Sequence, residues 1–323
     1  MKKHIASILF LFLLSTFQLI AQSHSVKRLG IEQGLSNNYV VSITQDKQGF
    51  LWFATEEGLN KFDGTRFTTY YKNDLTQDNQ GITGNELNRV YADTKHPIIW
   101  IATQRDGLNA YNYNEQTFTA YQHNPENPHS LITNDVTDIA PSTQHDDGLW
   151  ISTYYRGIEY LDITSGQFTH YNKSTVPSLP CDQTWTVLDG GDGNLYIGHV
   201  GSGFSIFSPK DKSVKNFRNE AGNPMSLPGN DVFCIIKDAN GNIWLGTNNG
   251  LALYDAANEN FITFKNNKND KYATLCSRIL SIRQLKDNRL WIASELNGIA
   301  ILNLKQSMFL SPEEISLEYI QEG

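Results

Sequence analysis

Side chains that could bind a ligand recur at matching places along this 323-residue chain, in short turns and at the entrances of predicted strands. Aromatic faces stack on the C–H face of a sugar, while carboxylates, amides and guanidinium groups pair with its hydroxyls. The pattern therefore predicts an oligosaccharide ligand. The candidates are Glu56, Arg105, Asp106, Tyr154, Tyr155, Arg156 and His199 in the turns, and Glu86, Arg89, Trp185, Asp231 and Arg278 at the strand entrances.

Each candidate also has a plainer interpretation. A polar residue in a turn is often only solvated, and Trp185 would serve equally well as packing between structural units. Longer loops are expected on the same face as the candidate turns, where variation in length suits a recognition surface. These loops span residues 72–84, 124–133, 173–181, 219–229 and 266–275.

A repeat in the sequence indicates the structural units that position these residues. An aromatic residue recurs every 46–50 residues, followed by a small residue, usually Thr, and then by a Gly-hydrophobic pair. A constant period of this length is typical of repeat architectures. The anchors, expected to fill the space between adjacent repeats, are Trp52, Trp100, Trp150, Tyr196, Trp244 and Trp291.

Each repeat reads as four short strands separated by turns rich in Gly, Asp and Asn. The first repeat shows them at residues 39–45, 51–55, 59–62 and 66–71. The sequence therefore predicts an all-β fold over residues 22–323, a β-propeller of four-stranded antiparallel blades. Six complete blades are expected near residues 35–72, 84–122, 133–172, 182–218, 230–265 and 277–320.

Both ends of the repeat region resemble the outermost strand of a blade. Residues 26–33 precede the first blade, and residues 315–322 complete the sixth. The leading strand is expected to belong to a seventh blade, which would make the chain a truncated protein. The alternative is a six-bladed ring with one spare strand.

The N-terminus predicts export. Residues 1–21 begin with Lys2 and Lys3, continue with an apolar run and end at Ala21, as in a cleaved signal peptide. An uncleaved anchor is the alternative. Without this leader the charged residues number 24 Lys+Arg against 34 Asp+Glu, a net charge of −10. This acidity argues against nucleic acid and anionic membranes and favours a neutral or polar partner in the periplasm.

No pattern for metal, cofactor or catalysis stands out. The three cysteines, Cys181, Cys234 and Cys276, lie in different blades without metal-ligand spacing, so a disulfide is not expected. Residues 189–194 contain two aspartates and three glycines but lack the order of a calcium loop. We expect no enzyme activity, although rim carboxylates leave a carbohydrate-active lyase as an alternative.

The motifs resemble one known family. The G-L-S-N-N start at residue 34, the D-x-x-G turn and the W-[IFL]-[AGS]-T-x-x-G-L core resemble two-component regulator propellers over residues 26–323. These are periplasmic sensor regions of hybrid two-component systems in Bacteroidetes-type bacteria. The departures are Pro97, Tyr196, His199 and Ser294.

The resemblance implies a function and partners. Such proteins have two seven-bladed propellers, an immunoglobulin-like domain, a membrane helix, a histidine kinase, a receiver and a DNA-binding domain. It implies a sensor of glycan breakdown products that controls polysaccharide-utilisation genes through kinase domains outside these residues. Expected partners are a second propeller, a membrane-anchored kinase or a homodimer partner. The main alternative is a structural or protein-binding propeller without a small ligand.

Overall fold

The computed structural model describes residues 28–72, 81–264, 274–284 and 288–304, together with the backbone of residues 316–319. Within these ranges the chain forms six sheets, each of four antiparallel strands that pair in sequence order. The first strand of each sheet lies at the centre of a ring and the fourth lies at its rim. The prediction of a β-propeller with six four-stranded blades is therefore confirmed.

The strands fall in the following ranges. Blade 1 contains β1 (Val40–Gln45), β2 (Leu51–Thr55), β3 (Gly58–Phe62) and β4 (Phe67–Tyr70). Blade 2 contains β5 (Leu87–Ala92), β6 (Ile98–Thr103), β7 (Leu108–Asn112) and β8 (Thr117–Tyr121). Blade 3 contains β9 (Val136–Pro141), β10 (Gly148–Thr153), β11 (Gly157–Asp162) and β12 (Gln167–Tyr171). Blade 4 contains β13 (Thr184–Asp189), β14 (Leu195–His199), β15 (Phe204–Phe207) and β16 (Val214–Phe217). Blade 5 contains β17 (Val232–Lys237), β18 (Ile243–Thr247), β19 (Gly250–Asp255) and β20 (Asn260–Thr263). Blade 6 contains β21 (Ile279–Gln284), β22 (Arg289–Ser294), β23 (Ile299–Asn303) and β24 (Ser316–Tyr319).

The repeated Thr and Gly build the turn between the second and third strands. In blade 2 the Thr103 hydroxyl donates to the Gly107 carbonyl at 2.7 Å and accepts from the Asp106 amide at 2.9 Å. Gly107 has a φ of 91°, and a Cβ there would lie 2.4 Å from the Tyr121 carbonyl oxygen. Only glycine fits both conditions, which explains the spacing of Thr and Gly in the repeat.

Five of the six aromatic anchors, all except Trp291, pack between neighbouring blades. Trp52 of blade 1 is fully buried against Leu87 and Val90 of blade 2, and equivalent clusters join each blade to the next as far as blade 6. The indole of Trp52 also donates to the Asp46 carboxylate at 2.8 Å, which ties the anchor to the D-x-x-G turn. Trp52, Trp100, Trp150, Tyr196 and Trp244 thus each combine a large apolar contact with one satisfied polar atom.

The boundary between blades 6 and 1 differs from the other five. Trp291 is only half-buried, and no described residue accepts a hydrogen bond from its indole nitrogen. Phe53 and Phe62 form a small apolar cluster of blade 1 that includes no described residue of blade 6. Across this boundary Arg283 Nη2 approaches the Ile43 carbonyl oxygen at 3.5 Å. Among the described residues, the interface here is looser than the others.

The expected leading strand is not formed in its described part. Ile31–Gln33 is a 3₁₀ helix instead, and residues 26–27 lie outside the described residues. The Gly30 amide donates to Gln33 Oε1 at 2.7 Å, and the Ile31 amide donates to Asn38 Oδ1 at 3.1 Å. These local bonds replace the hydrogen bonds that a neighbouring strand would supply. The predicted final strand is present as β24.

The predicted signal peptide, residues 1–21, also lies outside the described residues. In the part of the chain that is described, we find no helix with the length and apolar character needed to cross a bilayer.

Candidate functional site

All six inner strands carry a β-bulge at the same position. In β13, for example, Thr184 pairs with His199 and Thr186 pairs with Gly198, which leaves Trp185 unpaired between them. A bulge re-aims the side chain of the extra residue. The six bulge residues, which all line one cavity at the centre of the ring, are Val41, Asn88, Thr137, Trp185, Phe233 and Leu280.

Hydrogen bonds between blades hold these bulges in place. Asn88 Nδ2 of blade 2 donates to the Val136 carbonyl of blade 3 at 2.7 Å. The Ser152 hydroxyl of blade 3 donates to the Trp185 carbonyl of blade 4 at 3.2 Å. Backbone carbonyls beside the bulges of blades 3 and 4 therefore find donors in an adjacent blade.

The central cavity has a volume of about 830 Å³. This lies within the usual range for small-ligand sites, roughly 300–1,000 Å³. One part of its wall is aromatic. The Trp185 ring lies 6.0 Å from that of Tyr154 and 5.9 Å from that of Phe233, both edge-to-face. We call Trp185 and Phe233, which line the cavity, together with Tyr154 at its edge, the aromatic wall.

Charged side chains stand beside the aromatic wall at the mouth of the cavity. The Arg278 guanidinium lies 4.4 Å from the centre of the Phe233 ring, and its Nη1 lies 3.4 Å from Glu295 Oε1. Burial raises the pKa of Asp135, and the charge of Arg105 opposes that rise. The mouth thus places a cation over an aromatic face, next to carboxylate acceptors.

Deeper in the cavity, Arg89 Nε lies 2.9 Å from Asp138 Oδ1, without the alignment of a hydrogen bond. Asp138 is buried and also accepts from the Thr186 hydroxyl at 2.6 Å. Arg283 lines the same part of the cavity.

Half of the residues proposed from the sequence line this cavity. They are Glu56, Glu86, Arg89, Arg105, Trp185 and Arg278. Tyr154 reaches its edge through contact with Trp185, and Tyr155 meets Tyr154 edge-to-face with ring centres 4.1 Å apart. Arg156 is exposed in the adjoining turn and does not line the cavity.

Three other candidates lie elsewhere. Asp106 points toward the outer loop, where its carboxylate lies 3.4 Å from Lys72 Nζ. Asp231 accepts the Gly201 amide at 2.6 Å and so stabilises a turn. The expectation that His199 faces the mouth is wrong, since the residue is fully buried and contacts the Ser205 hydroxyl at 2.8 Å. Burial lowers the pKa of His199 to about 4.

The sequence interpretation missed Asp138, Phe233 and Arg283. Phe233 and Asp138 occupy, in other blades, the positions of the candidates Trp185 and Arg89, so comparison of equivalent positions would have found them. Arg283 lies further along its inner strand. A signal was present for Arg283. It is a basic residue inside the strand I-L-S-I-R-Q, where the equivalent positions of the other blades are Thr44, Tyr91, Ala140, Leu188 and Ile236.

The ring of antiparallel blades around a lined cavity defines the class of protein as a β-propeller. The family model of the two component regulator propeller matches residues 34–57 and 226–249. A solved structure, the extracellular domain of a protein described as the hybrid two component system BT3049 from Bacteroides thetaiotaomicron, is 63% identical with a TM-score of 0.80 and covers 92% of this chain. Together these matches identify the chain as a two-component regulator propeller.

Two further similarities are more distant or more local. The extracellular domain of the system BT4673 from B. thetaiotaomicron is 22% identical with a TM-score of 0.68 over 87% of this chain, and it shows the fold alone. Histidine kinase P4 of Formosa agariphila is 42% identical over 66 residues, 20% of this chain. The chain spans 36% of the length of the BT3049 structure, 37% of the BT4673 structure and 5% of the kinase.

Proposed function

We propose that this chain is the exported sensor region of a two-component system and that it binds an oligosaccharide in the central cavity. The main support for the proposal is that all six inner strands have a bulge at the same position. Each bulge points one side chain into the same central cavity. Among them, Trp185 and Phe233 offer faces for a sugar ring, and Arg278 and Glu295 offer charged hydrogen-bonding groups beside them.

The proposed location and signalling partner follow from the relatives. The basic and apolar leader at residues 1–21 favours export, and the structural relative at 63% identity is described as an extracellular domain of a hybrid two component system. We therefore place the domain in the periplasm, passing its signal to kinase domains that regulate polysaccharide-utilisation genes. Its own role is binding without catalysis.

The test is binding of glycan fragments to the mature chain, residues 22–323, on a glycan array followed by calorimetry. Trp185→Ala should weaken binding of a glycan hit roughly tenfold or more, because stacking on an aromatic face is lost. Leu296→Ala is the matched control, since Leu296 is 87% exposed on the same face and does not line the cavity. Equal affinity of the wild type and Trp185→Ala would remove the site, and release of a new product from the glycan would favour a lyase.

One observation favours protein binding as a second function. At the loose boundary between blades 6 and 1, Ile43 is 47% exposed, and the cavity-lining residues Val41 and Leu280 on the two flanking strands are 37% and 43% exposed. Apolar side chains grouped in this way are typical of contact surfaces. Two results together would support this alternative. The wild type would form a dimer or bind the cognate kinase while Ile43→Ser would not, and no assay would detect glycan binding.

A further inference from the structure

Three charged side chains lie below the mouth of the cavity, on the inner strands of blades 2, 3 and 6. We call Arg89, Asp138 and Arg283 the basic floor. Arg89 and Asp138 occupy the same position in adjacent blades, one residue after the bulge, and Arg283 lies five residues along the chain from Arg278. By the strand register, Arg283 lies two positions beyond the level of Arg89 and Asp138, roughly 7 Å further along the channel at about 3.3 Å per residue.

The basic floor has more donors than acceptors. Two guanidinium groups bring ten N–H donors. Among described protein atoms, Arg89 Nε lies near Asp138 without hydrogen-bond alignment, and Arg283 Nη2 makes one long contact of 3.5 Å with the Ile43 carbonyl. No described residue is seen to accept from the remaining donors, which can face a ligand in the cavity.

The single carboxylate of the floor is already engaged. Asp138 Oδ2 accepts the Thr186 hydroxyl at 2.6 Å, and Oδ1 accepts the Ile139 amide at 2.9 Å. Asp138 therefore offsets one of the two guanidinium charges and leaves a net charge of about +1 at this depth.

The two cations also affect each other. Desolvation by the channel walls lowers the pKa of Arg283, and the charge of Arg89 lowers it further, while Asp138 opposes both. The Arg283 side chain is nonetheless solvent-exposed. An added anion would relieve the repulsion between the two guanidinium groups and would bring acceptors to their free donors.

We propose that the basic floor binds the carboxylate of an acidic sugar, so that the oligosaccharide recognised in the cavity contains a uronic acid. This inference rests on the proposed function and adds the substrate class. The mouth carries Glu56, Glu86 and Glu295, which accept hydrogen bonds from neutral hydroxyls, while the floor takes the charged group. The net negative charge of the chain disfavours polyanions such as heavily sulfated glycans, but a single desolvated carboxylate pairs locally with the floor.

The test compares acidic oligosaccharides with their carboxyl-reduced counterparts, which keep the same linkages and lose only the charge. The probes are oligogalacturonates, glucuronic-acid-substituted xylo-oligosaccharides and alginate oligomers, measured by calorimetry with the mature chain. We expect at least one acidic probe to bind roughly tenfold or more tightly than its reduced form. Arg283→Gln should remove that preference, and Arg283→Lys should keep part of it because the charge is retained.

Arg66→Gln is the matched control, because Arg66 is an exposed arginine outside the cavity, paired with Asp63 at 3.2 Å. Thermal unfolding of each variant checks that the propeller remains folded. Equal binding of acidic and reduced forms, or binding of neutral glycans alone, would overturn the carboxylate site and leave the proposed function standing. Failure of every glycan, acidic and neutral, would overturn both.

Discussion

Asp189 of blade 4 accepts a hydrogen bond from the indole of Trp150 in blade 3, with Oδ2 3.2 Å from Nε1. In blades 1, 2 and 5 the acceptor is an aspartate of the same blade, namely Asp46, Asp93 and Asp238. In blade 3 that place is taken by Ser142, so the acceptor comes from the neighbouring blade. The same carboxylate accepts the Thr143 amide and hydroxyl at 3.0 and 2.6 Å.

Asp189→Ala is therefore expected to destabilise the propeller. It leaves the Trp150 indole and the Thr143 amide without acceptors, and each unsatisfied donor costs about 1–3 kcal/mol where it is buried. We expect the free energy of unfolding to fall by roughly 2 kcal/mol in urea denaturation. Asp211→Ala is the control, since Asp211 accepts only within its own exposed turn. Equal losses in the two variants would contradict the role of Asp189 between blades.

The anchors should differ in their contribution to stability. Trp100 is fully buried between blades 2 and 3, whereas Trp291 is half-buried at the loose boundary. Trp100→Ala should cost about 3–5 kcal/mol, as is usual for removal of a buried Trp. Trp291→Ala should cost less than half of that. Comparable losses in denaturant unfolding would mean that the boundary between blades 6 and 1 is packed as tightly as the others.

His199 should make the fold sensitive to acid. Burial lowers its pKa from 6.5 to about 4, so the unfolded chain takes up a proton at a higher pH than the folded chain does. Stability is thus fully present above about pH 6.5 and decreases as the pH falls toward 4, by an amount on the order of 3 kcal/mol. His199→Thr introduces the residue found at the equivalent positions 55, 103, 153 and 247. Its stability should fall less steeply with acid than that of the wild type, and parallel pH profiles would refute the assignment.

His170 should have the opposite dependence on pH. Its hydrogen bond to the buried carboxylate of Glu159, at 3.1 Å, raises the pKa of the imidazole despite partial desolvation. Burial raises the pKa of Glu159 as well. A base with a raised pKa stabilises the fold below its unfolded value of about 6.5, and that contribution is lost as the pH rises through the folded value.

His170→Gln keeps a side chain that can donate to Glu159 but removes the titration. The difference in unfolding free energy between wild type and variant should be larger near pH 6 than near pH 9, measured by urea denaturation across this range. Phe168, on the same strand, is not titratable, and a destabilising Phe168→Leu variant serves as the control, because its loss should not depend on pH. A constant difference for His170→Gln would rule out the pairing.

The sequence by itself determined the blade and the number of blades. The period of the anchors, the Thr and Gly of each turn and the alternation of apolar residues are local properties, repeated six times. They specify four strands and a buried aromatic residue without reference to the rest of the chain. The carboxylate partners of Trp52, Trp100 and Trp244 lie in the adjacent turn, within six or seven residues.

The tertiary structure decided which side chains meet. The bulge that turns Trp185 into the cavity depends on pairing between β13 and β14, which a strand pattern does not specify. Arg89 and Asp138 come together because equivalent positions in adjacent blades lie side by side, although 49 residues separate them in the sequence. His199 has the residue type of a ligand-binding group, yet the fold buries it behind Ser205. The local sequence determines where each strand forms. The register between strands and the closure of the ring determine how deep in the cavity each side chain lies and which face of the sheet it occupies.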